Sequence, residues 1–365
     1  MLIYVFVALF PLLVGTFYNA KIAAKASVNE TNTIKYLRKR WAWLFLAALP
    51  MLALIALRGS DVGADTSGYL KFFNQMVDTP WRSIFIVNES EYQFEPGFVV
   101  FEKLITYVTQ NAKVYQVIYS SVYLLAVVTF ANQLEKANFS FLFFFATLGT
   151  YIFMFTGVRQ CLAMSICLFS YKFIKEHKFI PFLLLLVLAF TFHKSAILFI
   201  AAYFIYKRKI SWLNTLIYAA FGALAYVYIK AIQEWFNDVL DYDYGIEETG
   251  SGLIFLLVVT AITAFSYFTV LYYKKQTKES VGLLNIGVIT VILWVLRLAT
   301  RVAERPSFYF LFFTAAMLCY GLDAPDKGRD RIIYKVAVYS ACMILFVYRF
   351  LSSFSYMIPY HSFFN

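Results

Sequence analysis

Arg297, Arg301 and Arg305 stand four residues apart at the end of an apolar run, the most regular charged pattern in the chain. On a helix that spacing keeps side chains on one slowly drifting face, so they predict a basic ladder roughly 12 Å long that suits an anion. Glu304, three residues from Arg301, is placed to pair with it. Arg159 opens another apolar run, where its charge adds to the partial positive end of a helix dipole. Together these suit a phosphate-sized group, a structural salt bridge being the other reading for Arg159 and snorkelling to headgroups the other for the ladder. The stretch Arg58-Gly59-Ser60-Asp61-Val62-Gly63-Ala64-Asp65-Thr66-Ser67-Gly68-Tyr69 makes a tight turn that presents Asp61 and Asp65. A carboxylate there could act as general base toward a hydroxyl, and capping the turn is its plainer use. Glu95, before Pro96-Gly97, and His193, at the end of an apolar run, carry the same two readings: a working group or a satisfied packing residue.

Membrane depth sharpens these readings, because an ionisable residue there costs roughly 2.5 to 3.5 kcal/mol on insertion scales. Between Gly157 and Ser195, apart from Lys172 and the basic turn at Lys175 to Lys178 near the inner end, only Arg159, His193 and Lys194 interrupt the apolar runs with a possible charge. The basic turns at Lys175 to Lys178 and at Lys207-Arg208-Lys209 both belong to the cytoplasmic side by the positive-inside rule. Residues 179–206 must therefore enter the membrane and return, as a helical hairpin. Each arm of about 14 residues reaches about 21 Å, short of roughly 30 Å of hydrocarbon. The tip at His193-Lys194-Ser195 is thus expected in a recess, with Arg159 at a similar outer level and both facing one outer cavity.

Composition sets the class. The chain has 365 residues, 61% hydrophobic and 20% aromatic, with mean hydropathy +0.68. That balance excludes a soluble domain and predicts an all-α polytopic membrane protein, a single transmembrane domain over 1–365. The net charge of +11 sits in short loops beside apolar runs, so membrane topology accounts for it and nucleic acid is not a partner. Cys161, Cys167, Cys319 and Cys342 lie in apolar runs without metal-like spacing and read as packing residues. No metal site and no cofactor is expected.

The positioning elements follow in order. Residues 1–19 read as a retained helix, then come Lys21, Lys25, Lys35, Arg38, Lys39 and Arg40 on the inner side and a second helix over 41–57. Residues 58–96 form the first outer loop, and 97–109 an interfacial helix with Phe98, Phe101, Leu104, Ile105 and Val108 on one face and Glu102 and Lys103 on another. Helices over 113–131 and 139–156, one from Arg159, the hairpin and a helix over 210–229 follow. An acidic outer loop spans 229–251, and helices over 252–273, 281–304, 307–322 and 332–351 close the count at about twelve transmembrane segments. On this topology Lys prevails inside and Arg outside, a bias in type that favours bidentate recognition of phosphate or carboxylate. The stretch Tyr356 to Phe364 reads as an interfacial anchor.

The chain resembles the EpsG-like family of bacterial exopolysaccharide and O-antigen polymerases, the Wzy-type proteins. Leu57-Arg58-Gly59, Gly63-Ala64-Asp65-Thr66-Ser67-Gly68-Tyr69 and Glu95-Pro96-Gly97-Phe98 carry the resemblance. So do Gly157-Val158-Arg159-Gln160-Cys161-Leu162-Ala163, Phe192-His193-Lys194-Ser195-Ala196 and Pro359-Tyr360-His361-Ser362-Phe363-Phe364. Ala64 departs from the polar residue frequent there. The resemblance implies a glycosyltransferase of the bacterial cytoplasmic membrane with its active site facing outward. It would join undecaprenyl-diphosphate-linked oligosaccharide repeat units, moving the growing chain to a hydroxyl of a new lipid-linked unit. Arg159, Arg297, Arg301 and Arg305 would hold diphosphate, Asp65 or His193 would be the base, and Asp61, Glu95, Gln160 and Lys194 would contact glycan or acceptor. With no metal cage in the sequence, transfer is expected to be metal-independent. Donor, acceptor and membrane lipid are the partners implied, with a chain-length regulator protein beside them. Another lipid-linked-sugar glycosyltransferase, or a flippase of lipid-linked glycans, are the competing classes.

Overall fold

A computed structural model describes residues 1–26, 39–136, 138–240, 252–326, 328–353 and 357–364. Lys35, Arg38 and the acidic residues at 241, 243, 247 and 248 lie outside them, as does Tyr356. The described chain is helical, its one β feature being an isolated bridge between Arg58 and Ser362. In order the α-helices are α1 Leu2–Ala26, α2 Arg40–Ala56, α3 Thr66–Asp78, α4 Ile84–Glu91, α5 Pro96–Ile105 and α6 Ala112–Gln133. Then come α7 Asn138–Thr147, α8 Thr150–Phe153, α9 Val158–Phe169, α10 Tyr171–Glu176, α11 Phe179–Phe192 and α12 Ile200–Tyr206. The last are α13 Trp212–Val227, α14 Ile229–Leu240, α15 Leu253–Tyr272, α16 Lys278–Arg297, α17 Glu304–Asp323 and α18 Arg329–Ser353.

Among the described residues five helices are long and apolar enough to cross a membrane: Leu2–Ala23, Ala112–Gln133, Leu253–Tyr272, Lys278–Arg297 and Arg329–Leu351. The chain is a helical membrane protein, but these five stand where twelve crossings were expected. Part of the difference arises because runs that hydropathy reads as continuous are broken into short pieces, while Arg40–Ala56 is continuous but one residue short of that length and Glu304–Asp323 is long enough but less apolar. The expected helix over 139–156 stops at Thr147 and restarts at Thr150, with Arg349 donating to the Leu148 carbonyl at the break (3.3 Å). The expected helix from Arg159 likewise divides at Ser170, whose hydroxyl bonds back to Cys167.

Two compact units make up the chain: Met1–Ser170 with Val187–His193 and Val338–Asn365, and Tyr171–Leu186 with Lys194–Ala337. In the first, α6 packs against α2 and α9, and α1 against α2 and α7. Its core is aromatic, with Tyr123, Phe130, Phe141, Phe143, Phe144 and Phe145 fully buried. The segment 58–96, expected as a loop, is largely helical, for α3 turns Tyr69, Phe72, Phe73 and Met76 inward over α5 and α6. This layer covers the face of α5 expected to be polar, while Phe98 on the expected apolar face is buried as well. Glu102 and Lys103 are buried, taking a hydrogen bond from Tyr115 and giving one to the Met76 carbonyl (2.8 Å), while Leu104, Tyr107 and Val108 are exposed.

In the second unit α16 packs against α15 and α17, with α12 and α13 beside α16. A Thr277–Ser280 capping box starts α16. Just inside it the buried Glu279 accepts from the Tyr171 hydroxyl (2.9 Å), Lys175 (2.6 Å) and the Tyr320 hydroxyl, which together satisfy a carboxylate out of water. Lys194–Phe199 is a 3₁₀ turn, and the rings of Phe199 and Tyr203 return to Phe182 at 6.2 and 5.0 Å, so the start of α11 and the chain after His193 lie side by side. All four cysteines are buried and none forms a disulfide.

Candidate functional site

A polar network in the first unit centres on Glu95. The following Pro96 restricts Glu95 to extended backbone (φ −64°, ψ 145°) and takes the first helical position of α5, where its missing N–H is harmless. The Glu95 side chain does not cap that helix and instead turns inward. Its Oε2 is salt-bridged to Arg159 Nη1, and its Oε1 lies 2.9 Å from His193 Nδ1. His193 Nε2 lies 3.2 Å from Gln160 Oε1. Three segments distant in sequence thus meet: the entry to α5, the first turn of α9 and the residue after α11. Gly97 allows the last of these to come close, since a Cβ there would lie 2.2 Å from Thr191 Oγ1.

The charges are unequally covered. The Glu95 side chain is 2% exposed and that of Arg159 20%, with the guanidinium 4.4 Å from the centre of the Phe94 ring. Burial pushes the Glu95 carboxyl up, but the hydrogen bond from His193 and the charges of Arg159 and His193 outweigh it and hold it down at about 2. Both ring nitrogens of His193 face oxygens, an arrangement that fits an imidazolium, or a neutral ring if the Gln160 amide is turned to donate. The result is a guanidinium at a helix N-terminus, backed by a buried carboxylate and partly open to its surroundings.

The expected salt bridge of Arg159 is therefore present, and Arg159, Gln160, His193 and Glu95 belong to one cluster. Asp61 stands apart from it, its Oδ2 2.6 Å from His361 Nδ1 and both side chains exposed; that hydrogen bond lowers the Asp61 carboxyl. Asp65 is the exposed residue before α3, and its carboxylate does not cap that helix. Lys194 begins the 3₁₀ turn of the second unit, half-buried.

The basic ladder on one helix is not formed. α16 ends at Arg297, Thr300 is extended (φ −151°, ψ 136°), Arg301 opens a 3₁₀ turn and Arg305 is the second residue of α17. The Thr300 hydroxyl caps this restart by accepting from Val302 N, and Pro306 sits in the first turn of α17, where a helix tolerates it. Glu304 pairs with Arg297 Nε (2.8 Å) and not with Arg301 as its spacing suggested, because the break turns it back toward α16. A Thr followed within a few residues by Glu and Pro was the available signal of a new helix start.

The tail also differs from an interfacial anchor. Met357 is fully buried, its carbonyl accepting from the Tyr4 hydroxyl (2.9 Å), and the Tyr360 hydroxyl donates to the Leu54 carbonyl (3.0 Å). Gly59 N bonds to His361 O (2.8 Å) and Phe363 N to Leu57 O (2.9 Å). The segment is a strap across the turn that follows α2, held because that turn leaves backbone groups to be paired.

No curated protein and no solved structure matches the chain. One family model, that of the EpsG family, matches residues 41–362. The chain belongs to the EpsG family. Membership covers every residue of the Glu95 cluster, the Asp61–Asp65 turn and the strap as far as Ser362. EpsG-like proteins are Wzy-type polymerase-like, which points to a glycosyltransferase-like role in polysaccharide biosynthesis by an integral membrane protein.

Proposed function

We propose that this EpsG-family protein polymerises undecaprenyl-diphosphate-linked oligosaccharide repeat units on the outer face of the cytoplasmic membrane. The growing chain passes to a hydroxyl of a new lipid-linked unit: the bond from its anomeric carbon to diphosphate breaks, a bond to the acceptor oxygen forms, and the hydroxyl proton goes to a base. The observation that carries this reading is Arg159, a partly exposed guanidinium at a helix N-terminus held in place by the buried Glu95. Such a group stabilises the negative charge that develops on a leaving diphosphate. Two lipid diphosphates take part, donor and acceptor, and Arg297, Arg301 and Arg305 are the further residues proposed for diphosphate.

Asp65, exposed at the head of α3, is the carboxylate suited to receive the acceptor proton. His193, with both nitrogens engaged, serves by holding Glu95 and through it Arg159. Gln160 and Glu95 complete this support, and Asp61 and Lys194 are assigned to the glycan. In this reading arginine supplies the cationic charge, and transfer runs without a metal.

Purified protein in detergent, given synthetic lipid-diphosphate repeat units and a chelator, tests the reading by gel. A ladder of products is expected. A single added unit would assign the protein to another class of glycosyltransferase. No product from intact substrate, together with movement of that substrate across vesicles carrying this protein alone, would assign it to transport.

A further inference from the structure

Arg58 is the largest fully buried charged side chain, 0% exposed. Its Nε donates to Thr66 Oγ1 (3.1 Å), Nη1 to the Ile55 carbonyl (2.5 Å), and Nη2 to the Tyr119 hydroxyl (3.1 Å) and the Met154 carbonyl (3.5 Å). The Phe155 and Tyr119 rings flank it at 5.2 and 5.8 Å. These partners are neutral oxygens, and no ion pair of Arg58 occurs among the described residues. A buried cation without a carboxylate is a poor source of stability, and an apolar side chain of similar size would serve the core as well. What the planar, five-donor fork gives in exchange is geometry, because it addresses oxygens on four separate segments at once.

Two of those segments lead to the groups named above. Thr66 is next to Asp65, and its hydroxyl also donates to the Val62 carbonyl (2.8 Å), closing the turn on itself. Met154 lies on the loop that runs into Arg159. The two segments are pressed together: Gly63 has φ +101°, and a Cβ there would lie 2.1 Å from the Phe155 carbonyl oxygen. Gln116 pins Arg58 from below through its own carbonyl (2.8 Å), and the strap closes the turn from above through Gly59 and Asp61.

We infer that Arg58 is a positioning residue for the transfer reaction, tying the turn that carries Asp65 to the loop that delivers Arg159. This rests on the polymerase reading above. It makes Arg58 neither a ligand of diphosphate nor a simple core residue, and it assigns the cost of burying the charge to the relative placement of a base and a cation.

The test uses the full-length protein in detergent with Arg58→Lys and Arg58→Met. Lys keeps the charge and presents one compact ammonium in place of the fork; Met keeps the volume and removes the charge. Both variants are expected to stay monodisperse, with Arg58→Met melting within a few degrees of the parent. Polymerisation kcat should fall about 100-fold in each, the cost of misplacing a reacting group by about 1 Å, with KM for the acceptor moving less than about threefold. Backbone amides of 62–66 and of 155–159 should exchange with solvent about tenfold faster or more, and together, while those inside α6 are unchanged. Wild-type kcat in either variant, an effect confined to KM, or exchange that rises in one segment alone would overturn the inference. If the parent enzyme makes no polymer the functional reading fails, while the exchange experiment still decides whether Arg58 ties the two segments.

Discussion

Replacing Glu95 by Gln keeps the shape of the side chain and removes its charge, and the structure sets the size of the effect. The carboxyl sits at about 2 in the folded protein against 4.5 as its ordinary value, despite burial, which alone would push it up. At about 1.4 kcal/mol per pH unit, that difference corresponds to about 3 kcal/mol contributed by the charged form. Breaking a buried ion pair by removing one partner costs a similar amount, about 3–5 kcal/mol. Because the folded value lies below the unfolded one, this stability is complete above pH 4.5 or so and is lost as pH falls from there toward 2. Equilibrium unfolding by denaturing detergent, followed from neutral pH downward, should show the parent weakening through that window. Glu95→Gln should begin about 3 kcal/mol less stable at neutral pH and lose less stability through the window than the parent does. The double variant with Arg159→Gln should be more stable than the sum of the singles by about 1–3 kcal/mol, since no unpaired charge remains. A Glu95→Gln protein within about 1 kcal/mol of the parent at neutral pH, or with the parent's pH slope, would refute the argument that Glu95 anchors this cluster.

Further outcomes follow from single contacts. Arg159→Lys keeps the charge but not the fork, and polymerisation should fall at least about tenfold; full activity in the product ladder would remove Arg159 from bidentate diphosphate recognition. Gly97→Ala places a methyl 2.2 Å from Thr191 Oγ1 and should cost about 1–3 kcal/mol in the unfolding assay, with activity falling because His193 moves away from Glu95. Glu279→Gln removes the charge that pairs with Lys175 and should cost about 2–4 kcal/mol; an unchanged midpoint would show that the charge of Glu279 does not hold that end of α16. His361→Ala removes an exposed pair and should change stability by under about 1 kcal/mol, whereas Tyr360→Phe, which loses a hydrogen bond to Leu54, should cost about 1 kcal/mol.

The helical membrane class was legible in composition, and the conjunction of Arg159 with His193 in the pattern of apolar runs they interrupt. Glu95 was legible only as one of two options, because nothing local says that the carboxylate before Pro96 turns inward. What escaped a reading by hydropathy was where helices break. Thr300 and Ser170 each make a local bond at a break, Thr300 capping the restart at Arg301 and Ser170 bonding back to Cys167, where periodicity alone would carry the helix through. The burial of the polar face of α5 escaped for a different reason. Its apolar face was visible, but the layer of α3 that covers Glu102 and Lys103 is a tertiary fact, and a helix face that looks polar in sequence is buried when its polar groups find partners such as Tyr115 and Met76. Arg58 stood in a recognisable motif, yet an Arg at the end of a helix reads as surface until Tyr119 and Met154 are known to surround it.

The strap gives the order of synthesis a role. His361 lies 300 residues after its partner Asp61. At about 5–20 residues per second, roughly a quarter to a full minute separates the making of the turn from the making of the segment that closes it. Throughout that interval the Leu57 carbonyl and the Gly59 amide lack the backbone partners that the strap brings, so the turn is completed only after almost every described helix has been made. A chain halted midway exposes those two groups, while the bonds of Arg58 and Thr66 already hold the rest of the turn.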